Sequence, residues 1–146
     1  MSMVLSRREG AVAILTLNNP GQYNALAAGV LAGLAAALDQ AAADSEVRAI
    51  LLTGAGKGFC SGAQFGGDTF GRGETIGEMM RASVNPIIEK LHFSPKPVVT
   101  AVNGPAAGAG VGVSSCVASG VGVAGARGVG RCVHGVGGSW VCWWCR

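Results

Sequence analysis

Asn103-Gly104-Pro105-Ala106-Ala107-Gly108-Ala109-Gly110-Val111-Gly112 decides how this chain is read. It follows Pro97-Val98-Val99-Thr100-Ala101-Val102, an apolar run of strand length. Gly104, Gly108, Gly110 and Gly112, with only small or apolar residues between them, leave little but backbone to present. A strand that ends in such a turn and opens a helix leaves amide N–H groups without internal partners. Those donors can hold a phosphate, or a carbonyl oxygen that becomes negative during reaction. A second reading is steric: a tight turn and a close-packed helix need glycine whether or not a ligand binds.

Outward from this stretch, strand and helix patterns alternate. Val12–Leu17 is a continuous apolar run closed by Asn18-Asn19-Pro20-Gly21. Leu26–Ala43 is rich in Ala and Leu, with Leu26, Val30, Leu34 and Leu38 at four-residue spacing, which predicts an amphipathic helix. Val47–Thr53 reads as a second strand and Gly54–Gly58 as a loop. Phe59–Phe65 leaves that loop as a bulky-small-bulky segment, and Gly66–Gly73 is loop. Thr75–Leu91 predicts a helix with Met79, Met80, Val84, Ile87, Ile88 and Leu91 on its apolar side, kinked or restarted at Pro86. The alternation argues an α/β fold.

The 146 residues fit one domain with a real core. The net charge of +3 comes from few acids and not from a basic cluster, so nucleic acid is not an expected partner. Gly, Ser and charges interrupt every apolar run before it reaches membrane-span length. Arg7, Arg8 and Glu9 follow the first apolar residues, the wrong order for a secretory signal, so a cytoplasmic location is expected. Five cysteines, four of them after residue 115, argue against a disulfide framework. Cys132, His134, Cys142 and Cys145 form too weak a pattern for zinc, and no metal is expected. Gly54-Ala55-Gly56-Lys57-Gly58 lacks P-loop spacing, and no acid follows Gly104–Gly112 as a dinucleotide site requires.

Ser61-Gly62-Ala63 and Gly108-Ala109-Gly110 each follow a strand and interrupt the pattern with small residues. Two convergent backbone N–H groups are what a thioester oxygen needs as it becomes an enolate or oxyanion. Ile50–Ala63, reading I-L-L-T-G-A-G-K-G-F-C-S-G-A, and Pro95–Gly110, reading P-K-P-V-V-T-A-V-N-G-P-A-A-G-A-G, resemble the enoyl-CoA hydratase/isomerase family, the crotonases. Leu15–Leu26 resembles that family's first CoA-contacting segment, and the likeness runs from residue 3 to about 113. The A-A-G-A-G motif resembles the ring-opened or epoxidised phenylacetyl-CoA isomerase branch and general enoyl-CoA isomerases.

The resemblance implies the N-terminal part of a crotonase-like ββα spiral, truncated, with residues 1–113 a partial acyl-CoA-binding domain and 114–146 an atypical Gly/Cys/Trp-rich tail. It implies that Ala63 and Ala109 supply the oxyanion N–H groups and that Ser61, Gly62, Ala63, Gln64 and Phe65 line the thioester end. Gln22 and Ala25 would contact the adenine or pantetheine region of CoA. It further implies an acyl-CoA substrate, no cofactor beyond the CoA of that substrate, and a homotrimer or hexamer, in doubt for a truncated chain. Asn19 stands where the family often has Arg, and Gln64 where many members have Asp.

The family's acid/base carboxylates come after the second donor segment. One corresponds to Gly112, and a later isomerase Asp, ahead of Gly137-Gly138-Ser139-Trp140, would fall on Gly135. All eight acids of this chain lie between Glu9 and Glu89. Two outcomes are therefore open: hydration or double-bond isomerisation of an acyl-CoA through an enolate, or a catalytically deficient remnant that keeps partial acyl-CoA binding. The composition shift after Ser114 resembles a GC-rich gene read in another frame, which predicts a frameshift near codon 113.

Overall fold

The computed structural model describes residues 2–64, 75–115 and 121–123, the last three as backbone. Five strands form one sheet in the order β1(Val4–Glu9), β2(Val12–Leu17), β3(Ala49–Gly54), β4(Val98–Val102) and β5(Val121–Val123). β1 and β2 pair antiparallel; every later pair is parallel. The helices are α1(Ala28–Ala43), α2(Ile76–Met79), α3(Asn85–His92) and α4(Ala109–Ser115), with a π turn at Met80–Val84 joining α2 to α3.

Register explains the core. Ala13, Ile50 and Val98 stand side by side on one face, and Leu15, Leu52 and Thr100 form the next row. All six are buried. α1 covers this core with Val30, Leu31, Leu34 and Leu38, and α3 adds Ile87 and Leu91. Strands enclosed this way read as continuous apolar runs, which is why Val12–Leu17 is found with the bounds its sequence predicts. The polar Thr100 is tolerated in the core because its hydroxyl donates to the Ser114 carbonyl at 3.0 Å, tying α4 to β4.

Several details differ from the sequence reading, β5 being a further strand it did not expect. β1 was not among the expected strands. It is an edge strand in which only Val4 is buried, so no apolar alternation marks it. The first helix starts at Ala28, because Leu26 is held extended opposite Ala63. β3 begins at Ala49, two residues beyond Val47. The Thr75–Leu91 helix is interrupted by the π turn, whose Asn85 N–H donates to Met80 O just before Pro86, a residue with no N–H to give. α3 restarts there with Pro86 in its first turn.

Charged side chains serve termini and the surface. The Lys96 ammonium donates to the Ala41 and Asp44 carbonyls at the end of α1, where the helix has carbonyls to spare. Thr75 and Glu78 form a capping box at the start of α2.

Candidate active site

β3 and β4 are adjacent and parallel, so the segments following them leave the sheet at the same edge. This edge, beyond the carboxyl ends of parallel strands, is where open α/β sheets commonly bind ligands. The two segments then stay in contact. The Phe59 N–H donates to Pro105 O at 3.0 Å, the Ala107 N–H to Cys60 O at 3.0 Å, and Cys60 pairs with Ala106 as an isolated parallel bridge. Glycine permits the approach. A Cβ on Gly104 would lie 2.1 Å from Lys57 O, and one on Gly110 would lie 2.3 Å from Cys60 O. The steric reading of these two glycines is the one the contacts show: backbone meets backbone here.

The two segments meet again where the start of α4 comes up against Gly62. Its φ is +97°, and a Cβ there would lie 3.2 Å from the Ala109 nitrogen and 2.7 Å from Ala107 O. Gly62 thus packs directly against the start of α4. Ala63 follows Gly62, and Ala109 is the first residue of α4. Among the described residues, neither the Ala63 N–H nor the Ala109 N–H has a hydrogen-bond partner. Both alanines are partly buried and pack against the core. Two amide donors are therefore unspent, on neighbouring segments.

A third segment braces the first donor. The Leu26 N–H donates to Gly62 O at 2.8 Å, the Ser61 N–H to Tyr23 O at 2.9 Å, and the Ser61 hydroxyl to Gln22 O at 3.0 Å. Gln64 returns a long bond from its N–H to Leu26 O at 3.5 Å. Gln22, Ser61, Gly62, Ala63 and Gln64 are thus brought together. Gln22 and Ser61 are exposed and Gln64 is half-buried, whereas Ala25 is only 7% exposed. Phe65 lies outside the described residues.

Residues that the sequence reading did not single out hold the arrangement. Asn24, fully buried, donates from its amide to Ala55 O at 3.0 Å and Gly58 O at 2.8 Å, and accepts from the Asn19 N–H at 2.8 Å. Asn103 donates to Gly56 O at 3.1 Å and Gly58 O at 3.4 Å, and accepts from the Gly54 N–H at 3.1 Å. The sequence signal for Asn24 is weak, an Asn after a Pro-Gly turn, and its φ of +56° is one that Asn tolerates better than most residues.

The electrostatics are those of backbone dipoles. Cys60 is buried, and desolvation pushes its thiol pKa up against a lowering hydrogen bond from the Gly62 backbone, so it stays a neutral thiol. The described carboxylates with side-chain interactions are engaged elsewhere. Glu9 pairs with Arg7, Asp39 with Lys90, Asp44 lies 3.8 Å from Arg8, and Glu78 caps α2. Glu89 lines a separate cleft of about 440 Å³ between α1 and α3, together with Leu38, Asp39 and Phe93. That cleft contains neither Ala63 nor Ala109. Asp68, Glu74, Gly135 and the Cys132–Cys145 set lie outside the described residues. Among the described residues no cluster of His, Cys, Asp or Glu could hold a metal ion, and no helix is long and apolar enough to cross a membrane.

The parallel β3–β4 pair thus brings two segments with unspent backbone donors to one edge of the sheet. Comparison with known proteins gives the family. The sequence profile described as Enoyl-CoA hydratase/isomerase matches residues 7–119, and the chain belongs to that family. It is 42% identical over 113 residues to the 1,2-epoxyphenylacetyl-CoA isomerase of Escherichia coli (strain K12), an alignment covering 75% of this chain and 43% of that protein. With a probable enoyl-CoA hydratase of Rhodobacter capsulatus it shares 41% identity, over 70% of this chain and 39% of the relative. A solved structure from Pseudomonas aeruginosa superposes with a TM-score of 0.74 at 35% identity, covering 84% of this chain and 53% of that one. The fold is thus crotonase-like, and the chain spans about two fifths of the length of these curated relatives.

Proposed function

We propose that the chain binds the thioester of an acyl-CoA with its carbonyl oxygen between the Ala63 and Ala109 N–H groups. One observation carries the proposal: the Gly62 backbone lies so near the start of α4 that a Cβ on it would stand 3.2 Å from the Ala109 nitrogen, while both amides remain unspent. An enolate forming from the thioester would gain roughly 3–4 kcal/mol from each donor, by analogy with single oxyanion-hole donors elsewhere. The reaction supported by this geometry is hydration or double-bond isomerisation of an enoyl-CoA. Ser61, Gly62 and Gln64 would flank the thioester, and Gln22 and Ala25 would lie toward the CoA moiety. Coenzyme A enters as part of the substrate, and assembly as a trimer or hexamer follows the family.

A second reading, binding without turnover, is favoured by a separate observation. None of the carboxylates whose contacts are described touches the donor segments. The test has two arms on the full chain. Titration with an enoyl-CoA is expected to shift the Ala63 and Ala109 amide resonances downfield, and unmoved resonances at saturation would sink the site. Turnover in the same samples, read as loss of enoyl absorbance, separates the enzyme from the binding reading.

A further inference from the structure

We propose that Asn24 and Asn103 are positioning residues that act as one clamp: by gripping the Gly58 carbonyl together, they set the register of the two donor segments. The inference rests on the oxyanion role proposed for Ala63 and Ala109, and names what aligns them. Three distant parts of the sequence meet here. Asn24 comes from the turn ahead of α1, Asn103 from the end of β4, and both hold the Gly54–Gly58 loop that follows β3.

The polar atoms of both side chains are occupied within the protein. Asn24 has no exposed surface, and both amide groups spend donor and acceptor on backbone. These side chains are built into the scaffold and do not face a ligand. Packing around the clamp shows how little slack it has. A Cβ on Gly54 would lie 2.7 Å from Gly58 O and 2.8 Å from the Asn24 amide nitrogen.

From Gly58 the constraint passes in both directions. Phe59 and Cys60 share Pro105 O, Cys60 O takes the Ala107 N–H, and the two segments arrive together at Gly62 and Ala109. On the other side, Asn24 fixes the strand whose Leu26 N–H holds Gly62 O. If the grip on Gly58 O is lost, the loop can slide against the β4 segment, and the two amides no longer point at one oxygen. Three hydrogen bonds each, with Asn24 fully buried and Asn103 half-buried, give both side chains a defined geometry, which a loop of Gly and Ala alone would not have.

The test uses the full chain with Asn103→Ala, Asn24→Gly, the double variant, and Lys96→Ala as a control. Asn24→Gly preserves the positive φ, and Lys96→Ala weakens the end of α1 without touching the loop. In the ligand-free chain, both Asn variants are expected to move the Ala63 and Ala109 amide resonances, and Lys96→Ala to leave them in place. The double variant is expected to change the unfolding equilibrium constant by clearly less than the product of the two single changes, since both act on one carbonyl. With a carbonyl-13C enoyl-CoA bound, the shift of the thioester stretch to lower frequency is expected to fall by half or more in Asn103→Ala, with a smaller change in Kd. Unmoved Ala63 and Ala109 resonances in a folded variant, or strict additivity, overturn the clamp. Should Asn24→Gly not fold, Asn24→Asp keeps the acceptor for Asn19 and removes both donors to the loop. If the parent chain binds no enoyl-CoA, the oxyanion role fails alone, and the ligand-free resonances still decide the clamp.

Discussion

Substituting Gly62 with Ala perturbs the site at its narrowest point, and the structure gives both parts of the cost. The backbone there has φ = +97°, a conformation side chains rarely adopt. Holding a non-glycine residue in such a region costs about 1–3 kcal/mol. The added methyl also meets Ala107 O at 2.7 Å, well inside ordinary contact, and the obstacle is backbone that cannot rotate away. Overpacking of this kind costs about 1–3 kcal/mol more. The expected loss is therefore about 2–6 kcal/mol. Gly108→Ala is an internal standard. Gly108 also has positive φ, +53°, but nothing lies within 4 Å of its Cβ position. Its cost is strain alone, about 1 kcal/mol, partly offset by the lower entropy of the unfolded chain. Urea unfolding of the two variants is expected to separate them by at least about 1 kcal/mol, with Gly62→Ala the weaker. Because Ala107 must retreat, Ala109 moves with it, so enoyl-CoA affinity is expected to fall in Gly62→Ala and to hold in Gly108→Ala. If the two variants unfold together, or Gly108→Ala is the worse, the close approach of Gly62 to the start of α4 is wrong.

Gly112→Glu places a carboxylate at the position matching a family acid, and its Cβ would find the flexible tip of Ile88 at 3.4 Å, so the variant should fold. Enoyl-CoA turnover is expected to rise at least about tenfold, toward the 10²–10⁴ range of general acid–base groups, and a folded variant with parental turnover refutes the placement. Cys60, its pKa raised by burial, should resist alkylation in the native chain, as read by peptide mapping, and react once urea unfolds it. Its folded pKa lies above the unfolded one, so the stability it contributes is present below the unfolded thiol pKa and is lost as pH rises through the folded one. Glu78 is the opposite case: hydrogen bonds from the Thr75 backbone and hydroxyl lower its pKa, so its cap is present above the ordinary carboxylate pKa and lost as pH falls through the folded value. Amide exchange at the start of α2 should therefore separate Glu78→Ala from the parent at pH 7 and converge in acid.

How much of this was legible in the sequence depended on whether the signal was local. β2 was readable because enclosure on both faces writes an uninterrupted apolar run, and β1 was not, because an exposed edge strand is specified by its partner's backbone. The extent of the 75–92 helical stretch followed from its apolar spacing. The π turn inside it did not, since it depends on how Met80–Val84 adjusts ahead of Pro86. The glycine spacing of 103–112 announced exposed backbone. It could not tell Gly104 and Gly110, which lie against another segment's carbonyl, from Gly108, which faces open space. The pairing of Ser61–Ala63 with Gly108–Gly110 was reached through family resemblance. Its physical cause, two parallel neighbours releasing their loops at one edge, is visible only in three dimensions.

The same contrast separates the two requirements of the proposed chemistry. Polarising a thioester needs only main-chain N–H groups, and nearly any sequence supplies them if the backbone is held still. Here Asn24, Asn103 and the close-approach glycines do the holding, and they lie in segments that belong to the family by sequence. Moving a proton needs a particular side chain at a particular point, and a single residue decides it. A glycine stands at position 112, and no acid follows Glu89. Donor geometry is spread over a network of backbone contacts, whereas proton transfer rests on particular side chains, so the two can be gained or lost independently. Binding and turnover are accordingly separable measurements for this protein. A thioester stretch shifted on binding reads the proposed donors, and a change in the enoyl group reads proton transfer.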